Sequence, residues 1–158
     1  MAQLTPRFST NRTVREYTEQ HYLPPATAYR SRIANECAIG RQMIDWIHSL
    51  KQEWATLRFG GVKVETRGEQ LEFEVQICLN DLDPKAVRVE LYADGVMDTA
   101  PVWQEMKRVR QLAGTRGCYV YSAAMSAVRP AADYTARVVA HCDGVAVPLE
   151  DARILWQR

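Results

Sequence analysis

Residues 71–79 read Leu71-Glu72-Phe73-Glu74-Val75-Gln76-Ile77-Cys78-Leu79. Every odd position is apolar and the even ones are Glu72, Glu74, Gln76 and Cys78. A period of two puts one face of a strand against a core and the other against water. The turn Asn80-Asp81-Leu82-Asp83-Pro84 follows, and Val87-Arg88-Val89-Glu90-Leu91 repeats the alternation. Further strands are expected near 62–67, 102–110, 118–125, 134–141 and 152–156. Seven short strands in about a hundred residues predict an antiparallel β-sandwich of immunoglobulin-like type.

Two details bear on that sandwich. Tyr134 follows Pro130-Ala131-Ala132-Asp133 at the start of the sixth strand, where a tyrosine corner would bond its hydroxyl to the preceding connection. Cys78 and Cys142 fall in the second and sixth strands, but Cys78 shares the face of Glu72 and Glu74, so parity opposes an inter-sheet bridge. Cys37, Cys78, Cys118 and Cys142 form no CxxC or Cys/His cluster, and free thiols are the expectation.

Before Gly60 the apolar spacing turns helical. Val14, Tyr17 and His21 share one face of a short helix that begins between residues 9 and 14, capped by Thr13 with Glu16, by Ser9 or by Thr10. Pro24 and Pro25 are expected to end it, because neither donates a backbone hydrogen bond. A second helix should run from Ala26 to about Leu57, with Gly40 as its weak point. The fold class is therefore α+β, mainly β: a helical segment over 1–58, short helix then long, and a β-sandwich domain over 59–158.

Composition removes several functions. Twenty Lys and Arg against nineteen Asp and Glu leave a net charge of +1, which makes nucleic acid a poor partner. No apolar run approaches the roughly 20 residues that cross a bilayer, so a cytoplasmic location without membrane contact is expected. Asn80-Asp81-Leu82-Asp83 lacks the glycine and glutamate of a calcium loop, and phosphate-binding strings are missing. His21, His48 and His141 share no site, and His141 and Cys142 point to opposite faces of a strand. Lys107-Arg108-Val109-Arg110 reads as a solvent face. Trp46 and Trp54 fit helix packing and Trp156 the last strand, which leaves Trp103 as the candidate platform for a sugar ring.

Arg7-Phe8-Ser9-Thr10-Asn11-Arg12-Thr13-Val14-Arg15-Glu16-Tyr17, running on to Tyr22-Leu23-Pro24-Pro25, resembles the end of the catalytic domain in α-glucan (glycogen, starch, maltodextrin) phosphorylases. There a Phe-Ser-Ser-Asp/Asn-Arg-Thr/Met-Val/Ile string opens a late helix, matched here by Phe8, Ser9, Asn11, Arg12, Thr13 and Val14, with Glu16 and Tyr17 following. The stretches 82–92 and 133–138 resemble the β-rich C-terminal extension of the bacterial and archaeal subgroup.

The resemblance covers essentially the whole chain, but only the C-terminal portion of a longer enzyme. It implies that the pyridoxal phosphate lysine and the phosphate- and glucan-binding loops lie upstream, so this chain carries no catalytic residue, cofactor or metal. It implies an accessory role, with Phe8, Arg12, Val14, Tyr17 and Tyr22 packing on the catalytic domain, self-association through exposed helices, and α-glucan as a further partner. The other reading is a self-standing carbohydrate-binding or protein-interaction sandwich.

Overall fold

The computed structural model describes residues 9–96 and 99–157; Phe8, assigned above to helix packing, lies outside them. The chain divides into two compact units, one ending at Asp45 and the other beginning at Trp46.

Helix α1 (Thr10–Tyr17) starts at Ser9, whose extended backbone lets its hydroxyl accept the Arg12 N–H at 3.4 Å. The Pro24-Pro25 pair does not end the helical path. A π-helical turn over Thr18–Tyr22 leads directly into α2 (Leu23–Glu53). The Leu23 N–H reaches back to the Thr18 carbonyl, five residues away, and this widened ladder accommodates prolines that would strip donors from a regular one. The expectation of one unbroken helix from Ala26 to Leu57 also fails. Ala34 is extended and Asn35, Glu36 and Cys37 have φ of 51°, 56° and 62°, so the helix breaks just before Gly40. Left-handed backbone at Glu36 and Cys37 is strained, because a Cβ crowds the carbonyl there. A 3-10 turn, Trp54–Thr56, closes the helical region.

Among the described residues the sandwich has eight strands in two antiparallel sheets. The first sheet orders β1 (Arg58–Arg67), β2 (Gln70–Cys78), β6 (Cys118–Ser126) and β5 (Lys107–Gln111) as β1-β2-β6-β5. The second orders β4 (Val102–Glu105), β3 (Val87–Ala93), β7 (Thr135–Ala140) and β8 (Ile154–Trp156) as β4-β3-β7-β8. The stretch expected as one strand over 102–110 is two, one in each sheet. Met106, between them, turns into the core while its N–H still reaches the Val89 carbonyl at 2.8 Å, and the chain crosses from sheet to sheet there.

Leu71, Phe73, Val75 and Ile77 of β2 pack with Val89, Leu91, Ala136 and Val138 of the opposite sheet, as the period of two requires. Trp46, Leu50 and Leu57 join this core, and the Trp46 indole N–H donates to the Ala86 carbonyl at 3.0 Å. Each such side chain contributes about 1.5–3 kcal/mol by leaving water. On the edge strand β5 a bulge between Arg108 and Arg110 and three cations discourage further strand pairing.

Two expectations are corrected. Cys78 and Cys118 are bonded, S–S 2.02 Å, and only Cys37 and Cys142 keep their thiols. The two bonded residues stand directly opposite on β2 and β6. Parity placed Cys78 on the outer face, but only the strand register brings Cys118 beside it. Tyr134 makes no corner bond through its hydroxyl among the described residues; its ring packs edge-on against Phe73, centroids 5.5 Å apart.

Candidate functional site

The outer face of the second sheet carries a set of charged and aromatic side chains in mutual contact. On β3, Val87, Val89 and Leu91 point inward, so Arg88, Glu90 and Tyr92 point outward. Register then sets their neighbours. Tyr92 faces Trp103 on β4, Glu90 faces Arg137 on β7, and Arg137 faces Trp156 on β8.

Glu90 belongs to an outer face yet is only 1% exposed. Its Oε1 accepts from Arg88 Nε at 2.6 Å, and its Oε2 accepts from Arg137 Nε at 2.8 Å and lies 2.7 Å from Arg137 Nη2. A carboxylate removed from water costs several kcal/mol, and two charge-assisted partners offset that cost. The guanidinium planes in turn lie on aromatic rings. Arg88 sits 5.4 Å from the Trp103 ring centre, and Arg137 sits 4.4 Å from that of Tyr92 and 5.2 Å from that of Trp156. Tyr92 and Trp156 meet edge to face at 5.3 Å. The Tyr92 hydroxyl donates to Asp94 Oδ1 at 3.0 Å, and that bond to a carboxylate raises the phenol's pKa. Buried Asp151, which accepts from the Arg153 backbone at 3.0 Å and from its guanidinium, ties down the approach to β8.

Trp103, the platform expected from sequence, is 54% exposed on this face. Trp156, assigned by sequence to strand packing, stands on the same face and is 39% exposed. Tyr92 was not singled out, although its parity with Arg88 and Glu90 placed it on the outer side. Neither indole N–H of Trp103 and Trp156 donates to a protein acceptor among the described residues, whereas that of buried Trp46 does. The face therefore offers ring surface together with uncommitted N–H donors, a combination suited to a ligand with flat apolar faces and hydroxyl edges.

In the helical unit, Val14, Tyr17 and Tyr22 are 59%, 54% and 65% exposed, and Ile33 and Ile44 are also exposed. Val14, Tyr17 and Tyr22 line a shallow groove with Thr13 and Thr18. The π turn sets the His21 ring 4.9 Å from Tyr17 and the Tyr22 ring 6.1 Å from it. Arg12 makes a solvent-exposed ion pair with Glu16 at 3.4 Å.

Other sequence candidates do not assemble. His141 Nε2 lies 3.8 Å from Asp143, and the Cys142 thiol lies 3.8 Å from the Asp143 carbonyl oxygen. Among the described residues no group of three His, Cys, Asp or Glu could hold a metal, and no helix is long and apolar enough to cross a membrane. All four lysines, Lys51, Lys63, Lys85 and Lys107, are exposed.

Two comparisons with known proteins bear on this chain. It is 26% identical over 146 residues to the maltodextrin phosphorylase of Thermococcus litoralis, an alignment covering 89% of this chain and 17% of that protein. The chain thus spans less than a fifth of the length of the relative it matches. The family model for the glycogen phosphorylase C-terminal domain matches residues 54–158, the last helical turn and the entire sandwich. The chain belongs to the glycogen phosphorylase C-terminal domain family.

Proposed function

We propose that this chain is the C-terminal accessory region of an α-glucan phosphorylase, an enzyme that uses phosphate to release glucose 1-phosphate from α-1,4-glucan. The region performs no step of that reaction. Pyridoxal phosphate belongs to the upstream catalytic part, and the helical unit packs on that part. The observation that carries this reading is the alignment to 17% of a maltodextrin phosphorylase, reaching upstream of the family domain into the helices. The exposed Val14, Tyr17, Tyr22, Ile33 and Ile44 support it, since amphipathic helices rarely leave such residues in water without a partner. The order β1-β2-β6-β5 over β4-β3-β7-β8 supports an immunoglobulin-like arrangement of the sandwich. Cytoplasmic glucan metabolism is the setting this role requires.

The test mixes the chain with a phosphorylase catalytic part that ends before the helices. Co-elution as a complex is expected, weakened at least tenfold by Tyr17→Ala combined with Tyr22→Ala. Without its partner, the chain should self-associate through the same faces and dissociate on dilution. Absence of a complex, or glucose 1-phosphate release by the chain alone, sinks the reading.

A further inference from the structure

We infer that the outer face of β4-β3-β7-β8 is a binding surface for an α-1,4-glucan chain, separate from any site of phosphorolysis. This inference rests on the accessory role just proposed and assigns a ligand to one face of it. The argument starts from exposure. Of the four tryptophans, Trp46 is buried and Trp54 half-buried, whereas Trp103 and Trp156 are exposed, and both exposed ones belong to this single face. One exposed ring is ordinary, whereas two large exposed rings gathered on one sheet face form the kind of patch that marks a binding surface.

The face is also held in place before any ligand arrives. Arg137 lies against both Tyr92 and Trp156, Arg88 lies against Trp103, and buried Glu90 holds the two guanidinium groups. Rings braced this way lose little rotamer freedom on binding. The chemistry matches a pyranose. The C–H face of a sugar packs on an indole or phenol ring, and its hydroxyls accept from the free indole N–H groups and from Arg88 Nη atoms not used by Glu90. Asp94, already bonded to the Tyr92 hydroxyl, offers a carboxylate acceptor at the margin of the face. Rings on separate strands, with Tyr92 and Trp156 tilted by 76°, suit a curved chain rather than a flat ribbon. An α-1,4-glucan is curved, and a β-1,4-glucan is flat.

The test titrates the 158-residue chain with maltoheptaose and, in parallel, cellohexaose, following tryptophan fluorescence. A saturable change is expected with maltoheptaose, weakened at least about tenfold, or 1.4 kcal/mol, by Trp103→Ala and by Trp156→Ala, and largely restored by Trp103→Phe. As a measurement that needs no variant, maltoheptaose should shield Trp103 from oxidation by N-bromosuccinimide. No saturable change at millimolar sugar, unchanged binding in both alanine variants, or equal binding of cellohexaose overturns the inference. A chain that joins the catalytic part yet ignores maltoheptaose overturns the glucan surface and leaves the accessory role standing; binding without association does the reverse.

Discussion

Glu90 and Arg137, directly opposite on β3 and β7, make two contacts of 2.8 and 2.7 Å beneath the rings of Tyr92 and Trp156. The carboxylate is almost fully buried, while the guanidinium keeps some contact with solvent. Glu90→Ala strands two cations whose charge was balanced from below. A fully buried pair would lose about 3–5 kcal/mol on such a change, and the part-exposed arginines lower the expectation to about 2 kcal/mol. Urea denaturation measures it, and a loss below about 0.5 kcal/mol would show that the pair does not hold this face together. Glu90→Gln should lose less, because an amide oxygen still accepts.

Cys78 and Cys118 join residues 40 apart on strands that are already hydrogen-bonded. Closing a loop of that length in the unfolded chain stabilises by about 4 kcal/mol at most in the chain-entropy account. Thiol titration of the denatured, unreduced protein should find two thiols and the reduced protein four. The double variant Cys78→Ser with Cys118→Ser should unfold at lower denaturant with about 2–4 kcal/mol less stability. Four thiols without reductant would refute the bond.

Tyr121 points into the core with its hydroxyl buried and unbonded, and burial pushes its pKa up to about 12 from 10.0. The phenol stays protonated in the fold while the unfolded chain ionises. The associated stability is complete below about pH 10 and is lost as pH rises from 10 to 12. Tyr121→Phe should flatten this alkaline decline and leave stability at pH 7 within about 1 kcal/mol, since no hydrogen bond is removed. An unchanged alkaline profile would assign the decline to other groups.

Gly117, at φ +73°, precedes the disulfide and faces Asn80 so closely that an added Cβ would lie 2.3 Å from the Asn80 carbonyl oxygen. Leu79 N–H donates to the Gly117 carbonyl at 2.8 Å, so the two turns cannot separate without losing that bond. Gly117→Ala combines left-handed backbone strain with this clash and should destabilise by at least about 2 kcal/mol. A calorimetric midpoint equal to the parent's would show that the turns yield freely.

The strand over residues 70–78 and the inward set Leu71, Phe73, Val75 and Ile77 were legible because alternation is written in neighbours two apart. A helix start between residues 9 and 14 was legible for the same local reason, and the structure selects Ser9 among the three candidate caps. Other features were not. Pro24 and Pro25 read as a stop, but a π turn carries the helix through them. Met106 reads as one residue of a continuing strand, but it enters the core and sends the chain to the other sheet. Trp103 could be named as a platform, whereas Trp156 and Tyr92 could not be joined to it.

By itself the sequence determined the α+β class, the two faces of the strands at 71–79 and 87–91, a helical start between residues 9 and 14, and the family resemblance. Each of these depends on residue types at short, regular separations. Only the tertiary structure decided that Cys118 lies beside Cys78, that Glu90 is enclosed by Arg88 and Arg137, and that two tryptophans 53 residues apart share one face. Those relationships depend on strand order and register, which are set by packing between segments distant in the chain and leave no period within any one of them.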